Sequence, residues 1–295
     1  MTNQIAIKSA VMQNQPDEVL LLHDGLSEGL MSASGLIKDC RMRLEEASED
    51  WFDDLPRGGE EMRALYNAHT SPTAKANLLR LAVLWKLGGI YLDMDTVTIK
   101  SFDGLRKYRG FCGCETVAVP GDLLENANLI TKGRVGIKLA FRELCVYIPK
   151  GYRLFKTFES LYAQSVNNAV MGSAPKNPFL EKAFSAIKEM PENERFKRYG
   201  LGTHLLQRLT KNTSSENMEV LDRSFFYPLG PVISYYWFKK NSGGYYDDLL
   251  QENTVAVHWY NTSLRKFRKR SLDIDYLKKN SSTAFAKLVS KYLVC

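Results

Sequence analysis

The chain has 295 residues, 44% of them apolar and 25% charged, and a formal net charge of +7. That length and apolar content exclude a disordered or fibrous chain and support one large α/β domain, or a domain with a small lobe. No apolar run reaches the ~18 residues a membrane span needs, the N-terminus lacks a secretory apolar core, and no nucleic-acid-binding module accompanies the basic residues.

Residues 5–14 are predicted helical, and 18–23 (EVLLLH) form a strand. Residues 26–70 are mixed and mainly helical, with a loop at Leu55-Pro56-Arg57-Gly58-Gly59. Residues 71–99, SPTAKANLLRLAVLWKLGGIYLDMDTVTI, carry the strongest signal. Ser71 is a good N-cap, and Pro72 stands where a helix does not need an N–H. Leu78, Leu81, Ala82, Leu84 and Trp85 recur at helical spacing. Gly88 and Gly89 can adopt the left-handed conformation that ends a helix. Ile90, Tyr91 and Leu92 then read as a buried strand that delivers Asp93 and Asp95 at its carboxyl end, the edge where open α/β sheets bind ligands. Strand alternation is expected to point both carboxylates the same way.

Residues 110–166 are expected to be an insertion with short β-like runs such as Cys145-Val146-Tyr147-Ile148. Residues 167–173 read as a strand whose Asn167 or Asn168 faces the site, and Pro178–Met190 as an amphipathic helix. Another helix starts at 202–210, and its N-terminus can present N–H groups to negative charge. Val255-Ala256-Val257 is a buried-strand pattern ending in His258. The last helix places Phe285, Leu288, Val289, Tyr292 and Leu293 on one packed face. Five cysteines leave at least one thiol unpaired within the chain, and Cys112-Gly113-Cys114 lacks zinc-site spacing. Acceptor tripeptides for N-glycosylation begin at Asn212, Asn261 and Asn280. A basic cluster at residues 265–270 is either a solvated face or an attractor for an anionic donor or lipid surface.

Two carboxylates on one side of a strand end suit a hard divalent cation that also holds phosphate oxygens. The D-x-D pattern is weak by itself, because Asp273-Ile274-Asp275 repeats it in a segment that reads as a solvated helix or turn. At Asp93 and Asp95 the helix, the glycine stop and the strand supply the missing context. His258 is either a packed core histidine or a third ligand.

This constellation resembles the donor-binding core of DxD glycosyltransferases of the GT-A fold, nearest to the α1,4-glycosyltransferase family that includes globotriaosylceramide synthase and α1,4-N-acetylglucosaminyltransferase. Residues 7–26, YGLGTHLLQRLT at 199–210, the stretch from FFYPLG to VAVHWYNTS at 225–263, and the closing AFAKLVSKYL follow the family's motifs in order. The resemblance implies an open mixed sheet flanked by helices, with the family's first strand missing ahead of residue 5. It divides the domain into a nucleotide-binding half (1–109), a variable insertion (110–166) and an acceptor-side half (167–295).

The resemblance further implies a metal-dependent, retaining transfer of a hexose or N-acetylhexosamine from a nucleotide sugar, UDP-linked, to a glycan or glycolipid hydroxyl. The cofactor would be Mn²⁺ or Mg²⁺. The implied donor site is Asn77, Arg80, Tyr91, Asp93, Asp95, Asn167, Asn168, Gly202 and Thr203. The implied metal ligands are Asp93, Asp95 and His258, and His204 is an acceptor-side candidate. No carboxylate stands out as a nucleophile, which favours same-face attack with a donor phosphate oxygen taking the acceptor proton. Asn77 stands where the family has an aspartate, and Thr203 where it has a proline. Asn77 and the missing first strand leave open an inactive nucleotide-sugar-binding scaffold, and because bacterial toxins share this core the resemblance equally admits a protein-modifying glycosyltransferase of toxin type. Animal members of the family are Golgi proteins with an N-terminal span, so the expected location is the Golgi lumen for an incomplete start and the cytoplasm otherwise.

Overall fold

The computed structural model describes residues 1–25, 41–56, 58–118, 128–197, 199–211, 217–261 and 272–293. In chain order its main elements are α1 (Thr2–Asn14), β1 (Glu18–His23), β2 (Arg41–Glu46), α2 (Gly59–Ala68), α3 (Pro72–Leu87), β3 (Gly89–Leu92), β4 (Thr96–Thr98) and β5 (Gly110–Val117). They continue with α4 (Leu129–Tyr147), α5 (Gly151–Thr157), β6 (Ala163–Ser173), α6 (Pro178–Glu189), α7 (Leu205–Lys211), β7 (Glu219–Leu221), β8 (Ala256–His258), α8 (Ile274–Lys279) and α9 (Ala284–Ser290). The expected α/β class, with an open mixed sheet and flanking helices, is borne out.

The central sheet runs β3-β6-β5-β7. β6 is antiparallel to both of its neighbours, and β5 is parallel to β7. Alternation along β5, and along β6 with its phase reset by a bulge before Met171, splits their side chains between two cores. Cys112, Val166 and Met171 face a layer made by α2, α3, α6 and α7, which includes Leu78, Leu81, Phe179, Phe184 and Leu205. Phe111, Ala169 and Val170 face the opposite cluster with Phe226, Tyr227, Val255 and Tyr260. Each fully buried side chain of this kind contributes roughly 1.5–3 kcal/mol of burial free energy. β1–β2 and β4–β8 form separate parallel and antiparallel pairs.

α3 forms as predicted. The Ser71 hydroxyl accepts from the Ala74 N–H, Pro72 opens the helix, and the expected apolar residues are buried. Gly88 and Gly89 have φ of 69° and 94°, where a side chain is strained. A Cβ on Gly88 would also lie 2.7 Å from Cδ of Pro175. These glycines turn the chain directly from α3 into β3.

Several expectations are corrected. The 26–70 segment contains a strand, β2, which pairs in register with β1. Cys145-Val146-Tyr147 ends α4 and is not β-like, because the apolar run continues a helical repeat. β3 is an edge strand rather than a buried one, so Ile90 remains 39% exposed. Asn212 and the basic cluster at 265–270 lie outside the described residues, as do Cys40 and Cys295. Cys112, Cys114 and Cys145 are buried free thiols.

Candidate active site

The chain leaves β3 at Leu92, and the Asp93 N–H continues the ladder by donating to the Ala169 carbonyl at 2.8 Å. A turn closes when the Thr96 N–H donates to the Asp93 carbonyl at 3.0 Å, and β4 starts there. Asp93 and Asp95 therefore converge because the backbone turns between two strands, not because one strand alternates. β4 pairs with β8 so that Thr96 faces His258. This register sets His258 Nε2 2.9 Å from Oδ1 of Asp95. The Trp259 N–H donates to the Asp95 carbonyl at 3.0 Å, and the Asn261 N–H to Oδ2 at 2.9 Å.

Asp93 is held differently. Its Oδ1 accepts from the Tyr91 hydroxyl at 2.7 Å and from Nη2 of Arg80 at 3.0 Å. Arg80 is only 4% exposed. Its guanidinium also donates to the Tyr91 hydroxyl at 2.9 Å and to the Asn168 carbonyl at 2.5 Å, and it lies 4.0 Å from the Tyr91 ring centroid. A buried guanidinium demands such partners, because an unpaired charge in the interior costs several kcal/mol. The Asn168 carbonyl is available because the β5–β6 register shifts by three residues between Cys112/Met171 and Gly113/Asn167. Bulges of this kind commonly re-aim groups beside active sites.

The same bulge separates the two asparagines. The Asn168 side chain donates to Oδ1 of Asn77 at 2.9 Å. Gly202 closes over this pair, and a Cβ there would come within 2.8 Å of Nδ2 of Asn77. Thr203 and His204 follow in the wide turn Gly200–His204 that leads into α7, with Tyr199 edge-on to His204. Asn167 turns inward. Its Oδ1 accepts from the Ala169 N–H at 2.7 Å and the Tyr227 hydroxyl at 3.1 Å.

Behind His258 is a buried aromatic and acidic group that the sequence reading did not single out. The Tyr260 ring stands 4.2 Å from the imidazole, and its hydroxyl donates to Oε2 of Glu115 at 2.5 Å. Tyr227 packs edge-on to His258 at 5.8 Å. Burial pushes the Glu115 carboxyl up, against the hydrogen bonds from Tyr260 and Asn167. The signal for Tyr227 and Tyr260 was present in the FFYPLG and HWYNTS segments. Glu115, in a strand read as insertion, carried none.

Burial opposes charge on both members of the Asp95–His258 pair, and their mutual attraction outweighs it. Asp95 is held below the usual carboxylate value, helped by the Asn261 N–H, and His258 is raised above the usual imidazole value. Asp93, Asp95 and His258 each offer a ligand atom, and these atoms lie within 4.8 Å of one another. Ligands on opposite sides of a small hard cation are separated by about 4.2 Å for bonds of ~2.1 Å, so this set fits a divalent ion with little adjustment. The structure thus brings together Arg80, Tyr91, Asp93, Asp95 and His258, with Asn77, Asn168 and Gly202 as a neighbouring cluster linked through Arg80 and the Asn168 carbonyl. Asn167 faces the interior instead.

Residues 2–111 match the family described as glycosyltransferase sugar-binding region containing DXD motif. No curated protein matches the chain. Among solved structures, the PaToxG glycosyltransferase aligns with a TM-score of 0.41 and 16% identity, over 70% of this chain and 62% of that one. The ligand-free glycosyltransferase domain from the YGT toxin aligns with a TM-score of 0.34 and 10% identity, over 89% of this chain and 75% of that one. The chain thus spans less than two thirds of the PaToxG chain. The expected class of enzyme, a DXD-containing glycosyltransferase, agrees with the match over residues 2–111, which includes Asp93 and Asp95 and stops short of His258.

Proposed function

We propose that the protein is a metal-dependent, retaining glycosyltransferase that moves a hexose or N-acetylhexosamine from a UDP-sugar to a hydroxyl of a glycan or glycolipid, in the manner of the α1,4-glycosyltransferases. One observation carries this reading: Asp93, Asp95 and His258 converge at a strand tip inside or beside the matched sugar-binding region. Two carboxylates and an imidazole suit Mn²⁺ better than Mg²⁺, which prefers an all-oxygen shell. A bound divalent ion would neutralise the leaving diphosphate, an effect worth several kcal/mol.

The protein's own groups prepare that site. Arg80 and Tyr91 occupy one oxygen of Asp93 and leave the other for ligand. His258 and the Asn261 N–H fix the Asp95 carboxylate plane. Asn168 is the partly exposed member of a polar cluster beside the strand tip and is suited to a hydroxyl of the donor sugar, with the buried Asn77 and Gly202 behind it. Glu115, the carboxyl packed behind His258, is 7% exposed and hydrogen-bonded to Tyr260, so it is poorly placed to attack a sugar. Same-face attack therefore remains the favoured course, and a covalent glycosyl-enzyme adduct seen by intact mass would overturn it.

The test is UDP release across several UDP-sugars, with Mn²⁺ or with EDTA. We expect release from at least one donor, lost in EDTA. A folded protein that is not stabilised by UDP and Mn²⁺ and releases nothing would be a scaffold instead.

A further inference from the structure

α4 is 19 residues long, yet Cys145 is its one buried residue. Its outer side chains are open to solvent: Ile130 is 68% exposed, Ile137 72%, Leu144 55% and Tyr147 80%. At 3.6 residues per turn these positions fall on one stripe. The stripe continues onto the next element, because Phe141 meets Phe158 edge-on at 5.4 Å, and Phe158 and Leu161 are themselves exposed. Soluble monomers rarely leave so long an apolar strip uncovered.

The surrounding charge says what covers it. Residues 129–161 hold seven basic residues, Lys132, Arg134, Lys138, Arg142, Lys150, Arg153 and Lys156, against Glu143 and Glu159. Glu159 is buried and paired with Arg223, Glu143 pairs with Arg142, Arg153 pairs with Asp248, and Lys156 is half-buried beside Glu159, which leaves Lys132, Arg134, Lys138 and Lys150 without an acidic partner among the described ion pairs. The strip is thus apolar, with more cations than anions left unpaired along its own helix and just after it. A second copy of the chain fits poorly, since a two-fold contact would set these cations against those of the other copy. No described helix is long and apolar enough to cross a membrane. An exposed apolar stripe among cations instead suits a helix lying in the interfacial plane of a bilayer.

We propose that the outer face of α4, continued by Phe158 and Leu161, docks the protein peripherally on an anionic lipid surface. This docking is independent of what the strand tip binds. The experiment is co-sedimentation of the full chain with vesicles of phosphatidylcholine alone or mixed with phosphatidylserine. Binding to the anionic vesicles is expected, weakening as salt rises. Replacing Lys132 and Arg134 with Gln should weaken it about fivefold per charge. Ile137→Asp with Leu144→Asp should lower it at least ~10-fold, while the melting temperature stays unchanged because both side chains are exposed. Absence of binding to either vesicle would overturn the proposal, as would binding that survives the Asp double variant. So would a dimer, seen by light scattering, that the double variant dissolves without any vesicle binding.

Discussion

The chain contains the same three-residue acidic pattern twice, and the two copies have different fates. Asp273 is a helix cap: its carboxylate accepts from the Tyr276 N–H at 2.7 Å, and Asp275 lies in the first turn of α8. Asp93 and Asp95 bracket the turn between two strands, with His258 brought in by a third and Arg80 by α3. The acidic spacing is shared. At the first copy the backbone also brings in a histidine from another strand and a buried counter-charge, Arg80. An acidic pair gains a histidine and a buried arginine when the backbone around it converges from several elements.

Matched substitutions test that contrast directly. Asp95→Ala removes a proposed ligand and the partner of His258, and donor turnover in Mn²⁺ should fall by roughly 10²–10³, the value of a lost electrostatic contact of this kind. Asp273→Ala should leave turnover unchanged and cost only about 1 kcal/mol of stability, as N-cap losses do. Equal damage to turnover from the two would erase the distinction.

Arg80 tests what holds the first copy in place. Arg80→Met leaves Asp93 without its ion pair and the Asn168 carbonyl without its donor. Urea unfolding should show a loss of about 3 kcal/mol. Arg80→Lys should not restore it, since a single ammonium cannot reach Asp93, Tyr91 and Asn168 together. A variant as stable as the parent would mean that the guanidinium is dispensable to the turn. Gly202→Ala should have a smaller effect, ~1–3 kcal/mol, by pressing a methyl onto the Asn77 amide. Its signature would be a raised KM for donor with little change in kcat.

These residues also show where sequence reading reaches its limit. Capping at Ser71, the glycine stop and the helical spacing of α3 are local properties, so α3 and β3 were legible with nearly correct ends. The edge position of β3 depends on which strand pairs beside it, and the buried reading of Ile90 therefore failed. Resemblance places Arg80 at the donor site, but its burial against Asp93 and the Asn168 carbonyl depends on the bulge in β6 and has no local signal. Asn167 and Asn168 looked equivalent, and the register shift alone turns one inward and one toward Asn77. Glu115 lies 145 residues from Tyr260, so nothing in its neighbourhood announces the contact.

The finest distinction concerns pH. In the metal-free protein Asp95 is held below its ordinary value and His258 above its own. A depressed carboxyl stabilises the fold above its unfolded value of about 3.9, and that stability is lost as pH falls through the folded value. A raised imidazole stabilises the fold below its unfolded value of about 6.5, and that stability is lost as pH rises through the folded value. The pair should thus support the EDTA-treated protein most between about pH 4 and 6.5, with the alkaline decline missing from His258→Asn. An ion needs the imidazole unprotonated, so stabilisation by Mn²⁺ should grow over the same alkaline interval in which the pair weakens. Thermal melts at pH 5.5, 6.5 and 8, each with EDTA and with Mn²⁺, separate the two effects. Equal Mn²⁺ increments at pH 5.5 and 8 would mean that His258 does not hold the ion, and would reduce the first acidic copy to two carboxylates and a turn.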